Sequence, residues 1–260
     1  MITIDSKKCV RDGFCVQACP VNLIRMADGL FPEEIDEAAD RCIRCGHCVS
    51  VCPTNALDNA LTPAEDYLPL PEATPDAEAM ENLLISRRSA RAFRQKPIAR
   101  EQLERLVEVA RRSPTASNSQ NLSWTMIQDP QRLDRVRELS LEWMAGDPAR
   151  QPYVEAAQQG RDVILRNATA LAVVHGPAQY GWTGVDGAIA LTYMELLAAT
   201  MGLGTCWGGL VTAASAAVPD LLPVLGVPEG NKVGGAIMLG DPRLKHRLVP
   251  PRNAARVTWL

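Results

Sequence analysis

From residue 76 onward, hydrophobic positions recur at helical and strand spacings in turn. Leu103, Leu106, Val107 and Ala110 follow an i, i+3, i+4, i+7 pattern, which predicts an amphipathic helix over 101–112. Helices are also predicted over 77–87, 130–144 and 152–167, the last with a looser period. Residues 186–201 are apolar nearly all round, so that helix should be central and buried. Short apolar runs at 124–128, 170–175 and 233–239 predict strands. The last two are closed by Gly176-Pro177 and Gly240-Asp241-Pro242. Residues 257–260 predict a short terminal extended segment. Helices outnumber strands and the strands are dispersed, which predicts an α+β domain with a modest central mixed sheet.

The first sixty residues follow a different rule, because they repeat themselves at an offset of 33. Cys9, Arg11, Gly13, Cys15, Val16, Cys19, Pro20 and Asn22 match Cys42, Arg44, Gly46, Cys48, Val49, Cys52, Pro53 and Asn55. Seven of the eight cysteines lie between Cys9 and Cys52, and the eighth is Cys206. So tight a group points to metal or redox chemistry more than to disulfides. The second copy is a full C-x2-C-x2-C-x3-C-P run, the spacing of a [4Fe–4S] site whose fourth cysteine serves the other cluster of a pair. A zinc ribbon would instead show two paired C-x2-C knuckles. Pro63, Pro69, Pro71 and Pro75 then mark residues 61–77 as a semi-rigid linker.

With 260 residues, 47% of them hydrophobic, the chain has material for two domains. Its net charge of −3 disfavours a nucleic-acid partner. Apolar stretches are interrupted before they could span a bilayer, and residues 1–8 carry no apolar signal core, so the expectation is a cytoplasmic protein without a membrane partner. Three histidines make His-based catalysis a poor first guess.

Residues 1–60 resemble the two-cluster bacterial ferredoxin fold, and the resemblance implies two iron–sulfur clusters with crossed ligands. One cluster would take Cys42, Cys45, Cys48 and Cys19, the other Cys9, Asp12, Cys15 and Cys52. Asp12 stands where the second copy has Cys45. Either its carboxylate ligates iron as a harder donor, or it stays free and the site holds a [3Fe–4S] cluster or is labile.

Residues 78–260 carry no G-x-G-x-x-G after a strand, no P-loop and no G-x-S-x-G. They do carry RRSARAF, SPTASNSQ, an apolar helix leading into GLGTCWGG, a strand ending in LGDP, and PPRN before VTWL. In that order these resemble the FMN-dependent nitroreductase family, with a departure at Asn121-Leu122, where Pro-Trp is common. The resemblance implies a homodimer with FMN at the subunit interface. Arg87, Arg88, Ser89 and Arg91 would hold the phosphate and ribityl chain, joined by Arg252. Pro114, Thr115, Ala116, Asn118 and Gln120 would approach from the partner subunit. Trp207, Gly208 and Gly209 would sit against the isoalloxazine, with a backbone N–H facing N5. Arg161 matches a helix position that faces the N1/O2 edge, and Cys206 reads as a packed core thiol. No catalytic acid stands out.

The expectation is an FMN-dependent oxidoreductase that accepts electrons through its clusters and reduces a small, nitroaromatic-like acceptor. Its external donor would be a reduced ferredoxin, a flavodoxin or NAD(P)H. Ene reduction, dehalogenation or dehydrogenation on the same fold, and a non-catalytic electron carrier or redox sensor, remain open alternatives.

Overall fold

The structure, a computed structural model, describes residues 1–260. It divides into two units, Met1–Thr74 with Ser117–Ser119, and Pro75–Ala116 with Gln120–Leu260.

The first unit contains β1 (Ile2–Ile4), α1 (Phe14–Ala18), β2 (Ile24–Arg25), β3 (Glu33–Glu34), α2 (Ala38–Arg41), α3 (His47–Ser50) and β4 (Leu57–Asn59). Antiparallel β1 and β4 join its two ends, with Ile4 opposite Leu57, and β2 pairs antiparallel with β3. The sequence repeat is also a backbone repeat. Arg11 and Arg44, Gly13 and Gly46, and Asn22 and Asn55 all adopt left-handed conformations at matched positions. Gly13 and Gly46, each with φ 74°, start α1 and α3. The core is small, built of Cys15, Ile24, Cys48, Val49 and Leu57, so thiols occupy positions that aliphatic side chains would fill in a larger domain.

The stretch expected as linker is ordered at its start. Tyr67 packs on this core, donates its hydroxyl to the Gly46 carbonyl (3.2 Å) and meets Thr62 Oγ1 (3.1 Å). A Cβ at Gly46 would collide with the Tyr67 hydroxyl, so this glycine serves both its turn and its neighbour.

The second unit contains α4 (Ala77–Ser86), β5 (Phe93–Arg94), α5 (Arg100–Ala110), β6 (Ser123–Ile127), α6 (Pro130–Ala145) and α7 (Gln151–Gln158). It continues with β7 (Ala170–Pro177), α8 (Thr183–Thr200), β8 (Gly204–Trp207), α9 (Gly209–Ala217), α10 (Leu221–Val224) and β9 (Asn231–Pro242). The sheet runs β5-β9-β7-β6, with β8 also on β9. These strand pairs are antiparallel, and a parallel bridge between Ser89 and Thr205 makes the sheet mixed. Alternation along β7 supplies both faces. Ala170, Ala172 and Val174 pack with Leu191, Met194 and Ala198 of α8 and Leu103 and Leu106 of α5. Leu171 and Val173 pack with Leu133 and Val136 of α6, Val211 of α9 and Leu221 of α10. The sheet is therefore covered on both sides, which explains why β7 reads as a continuous apolar run.

One expectation is corrected here. The helix expected over 152–167 ends at Gln158. Gly160, at φ 79°, takes the left-handed position after the helix, while Gly160 N–H bonds Ala157 O and Arg161 N–H bonds Ala156 O. That is a Schellman stop, which glycine favours. Residues 257–260 lie in a C-terminal stretch with no regular element, and Trp259 is 90% exposed. An extended segment becomes a strand only when a neighbour takes its backbone donors and acceptors. No helix is long and apolar enough to cross a membrane.

Candidate cofactor sites

In the first unit the eight expected ligands line two cavities. Cys9, Asp12, Cys15 and Cys52 line one, together with Ile4, Pro32 and Leu57. Cys19, Cys42, Cys45 and Cys48 line another, beside Leu23, Ile24 and Asn59. This is the crossed grouping, with the last cysteine of each run facing the other run's cavity. All seven cysteines here are free thiols. The soft donor set, gathered as two groups of four around two cavities, fits two iron–sulfur clusters.

Main-chain N–H groups already point at sulfur. Leu23 N donates to Cys19 Sγ (3.3 Å) and Ala56 N to Cys52 Sγ (3.2 Å), at equivalent places in the repeat. Asn59, almost fully buried, directs Nδ2 toward Cys48 Sγ at 3.8 Å. Burial pushes the Cys15 and Cys48 thiols up from their ordinary range. Burial acts the same way on Cys52, but the N–H groups of Ala56, Thr54 and Leu57 outweigh it and bring that thiol down. Asp12 accepts from Phe14 N through Oδ1 (3.0 Å), so one carboxylate oxygen is engaged at the start of α1.

In the second unit two of the sequence motifs come together. Ser89 bridges Thr205, and Ala90 N donates to Thr205 O (2.7 Å), which seats the RRSAR turn against β8. Glu195 of α8 ties both down. Its Oε1 accepts from Arg87 Nη1 (3.1 Å) and from Thr205 Oγ1 (3.0 Å). Arg88 folds back, donating to the carbonyls of Arg87 and Ile85, and its Nε is buried without a partner. Arg91 is exposed. An orphaned guanidinium N–H and an exposed arginine beside a serine fit an anionic phosphate. Cys206 is 8% exposed within the core, and its thiol is raised by burial, opposed by Arg91 and Arg166.

Trp207 is half-exposed, and its indole lies against Gly235. The Gly208 N–H donates to Ala236 O (2.8 Å), so Gly208 is committed to the sheet edge. The free main-chain donors of this stretch begin at Gly209, in the first turn of α9.

The SPTASNSQ loop follows α5 and is held elsewhere. Ala116 N donates to Asp186 Oδ1 (3.0 Å), and the Tyr180 hydroxyl donates to Ala116 O (3.0 Å). Gln120 N donates to Thr115 Oγ1 (3.1 Å), Gln120 takes φ 48°, and Pro114 is exposed. Asn118, at φ 51°, sits in the short 3-10 turn Ala116–Asn118. Asp186 and Glu195 are nine residues apart on α8, about 180° around a helix. Ala116 and the Arg87–Thr205 pair are therefore anchored on opposite faces of α8. Arg161 is exposed at the stop after α7, not on a helix as expected, and Arg252 is exposed near the C-terminus. Asp186, Tyr180 and Glu195 escaped the sequence reading. An acidic residue inside an otherwise apolar helix was the available signal.

The nitroreductase family model matches residues 84–241, and a 4Fe-4S dicluster domain model matches residues 4–56. An FMN reductase (NADPH) of Bacillus subtilis is 27% identical over 201 residues, 67% of this chain and 73% of that protein. A Desulfitobacterium hafniense nitroreductase solved with bound FMN superposes with a TM-score of 0.60 at 23% identity, covering 69% of this chain and 97% of that one. A Bacteroides fragilis nitroreductase, also solved with FMN, gives 0.56 at 23% identity over 69% and 97%. At that identity the two structures speak for the fold. A sheet layered by helices on both faces, joined to a dicluster domain, defines a flavin-dependent oxidoreductase that carries its own iron–sulfur module. The chain belongs to the nitroreductase family.

Proposed function

We propose that this chain is an FMN-dependent reductase that takes electrons from an external donor through two iron–sulfur clusters and delivers them to a small oxidised organic acceptor of nitroaromatic type. The observation that carries the reading is the division of the eight expected ligands between two cavities, in a chain whose remainder belongs to the nitroreductase family. When bound, FMN supplies two-electron chemistry and the clusters one-electron transfer.

The chain's own residues bind and orient. Cys19, Cys42, Cys45 and Cys48 offer four thiolates to one cluster. Cys9, Cys15 and Cys52 offer three to the other, with the second oxygen of Asp12 as the fourth donor, since its first is engaged by Phe14 N. Arg88, Ser89 and Arg91 meet the FMN phosphate, with Arg252. Arg87, paired to Glu195, sets the shape of that turn. Trp207 and Gly209 lie along the ring. The Pro114–Gln120 loop of a second copy completes the site, a reading supported by the anchor of Ala116 on the face of α8 opposite Glu195.

Anaerobically purified protein should contain about eight iron atoms and about one FMN per chain, and should reduce a nitroaromatic with an external reductant. Stoichiometric zinc, or the absence of bound flavin, would overturn the reading.

A further inference from the structure

The Ala116 peptide is gripped on both sides. Its N–H goes to Asp186 Oδ1 at 3.0 Å and its carbonyl receives the Tyr180 hydroxyl at 3.0 Å. Asp186 is 2% exposed, in the first turn of α8, where the helix N-terminus favours a carboxylate. Its Oδ2 is buried with no partner. A buried carboxylate that spends one oxygen on a single loop amide is costly unless holding that amide matters. Tyr180 lies in the connection between β7 and α8, so both grips come from the same stretch of chain. Between them they fix the two peptide planes on either side of the Ala116 Cα, in a loop that otherwise contains positive-φ residues at 117, 118 and 120.

We infer that Asp186 and Tyr180 are positioning residues of the flavin site, which act by holding both peptide groups of Ala116 so that the neighbouring Thr115 is presented to the cofactor. The inference rests on the proposed FMN role of the Pro114–Gln120 loop. The working oxygen of Asp186 is Oδ1, and Oδ2 is dispensable. Asparagine at 186 keeps an acceptor for the Ala116 N–H, whereas alanine removes it. Phenylalanine at 180 removes the other grip and keeps the ring.

The test is FMN affinity, measured by flavin fluorescence on full-length protein stripped of flavin and reloaded, with iron content and thermal melting recorded in parallel. Asp186→Ala and Tyr180→Phe should each weaken FMN binding by roughly 10-fold, the effect of losing one buried hydrogen bond at a loaded position. Asp186→Asn should recover most of the loss. Iron content should stay at the parent value in all three. Parent-like FMN affinity in Tyr180→Phe and Asp186→Ala would overturn the inference. So would Asp186→Asn binding as weakly as Asp186→Ala, which would assign the role to Oδ2. If Asp186→Ala does not fold, Tyr180→Phe and Asp186→Asn still decide. Failure of the parent chain itself to bind FMN would instead overturn the proposed function, so the two failures are distinguishable.

Discussion

Asp162 accepts N–H groups from Ile164, Leu165 and Asn167 and the Nε–H of Arg137, and so organises the turn that follows the α7 stop. Burial works to raise its pKa, but the backbone N–H groups and the guanidinium outweigh it and hold the carboxyl below its ordinary range. A depressed folded pKa adds stability that is present above the unfolded value of about 3.9 and is lost as the pH falls through the folded value. Asp162→Asn should therefore cost about 1.5–3 kcal/mol near neutral pH, with the gap to the parent closing in strong acid. Urea denaturation at several pH values measures this. A gap of constant size down to the acid limit would mean that the ionised carboxylate is not its source. The cysteines were legible at this scale because cluster chemistry demands one residue type at fixed spacing. Asp186 and Glu195 were not, because a lone acid in an apolar helix looks the same in sequence whether it is solvated or holds a neighbouring loop.

Among the elements, those with strong local signals match the sequence reading closely. Helix α6 begins where Asp129 caps Arg132 N (2.8 Å) and Pro130 takes the first turn, and α4 begins where Asp76 caps Ala79 N (2.7 Å). Misreadings arose where a neighbour decides. Helix α7 loses half its expected length to Gly160, and Gly208 spends its N–H on β9. The apolar helix over 186–201 was expected to be central and buried, yet Tyr193 on it is exposed. Met80, Leu84 and Ile85 of α4, and Trp259 and Leu260 at the terminus, are exposed as well. Apolar surface of this extent on separate elements suits contact with a second copy. Light scattering on the eluting protein should give about twice the 28.2 kDa chain mass. A monomer that retains FMN would remove the shared-site reading.

For the whole molecule, a dicluster domain and a nitroreductase domain lie on one chain, and in the proposed function electrons enter by the first and leave by the second. Cys45 lines only the cavity with four cysteines and has no counterpart among the FMN residues, so its loss separates the two roles. The direct measurement is stopped-flow absorbance at the flavin band with a reduced low-potential one-electron donor, comparing the parent chain with Cys45→Ser. Flavin reduction should slow by at least about tenfold in the variant, while reoxidation of its flavin by a nitroaromatic keeps the parent rate. Equal reduction rates in the two proteins would contradict the account and leave direct hydride donation to the flavin as the route.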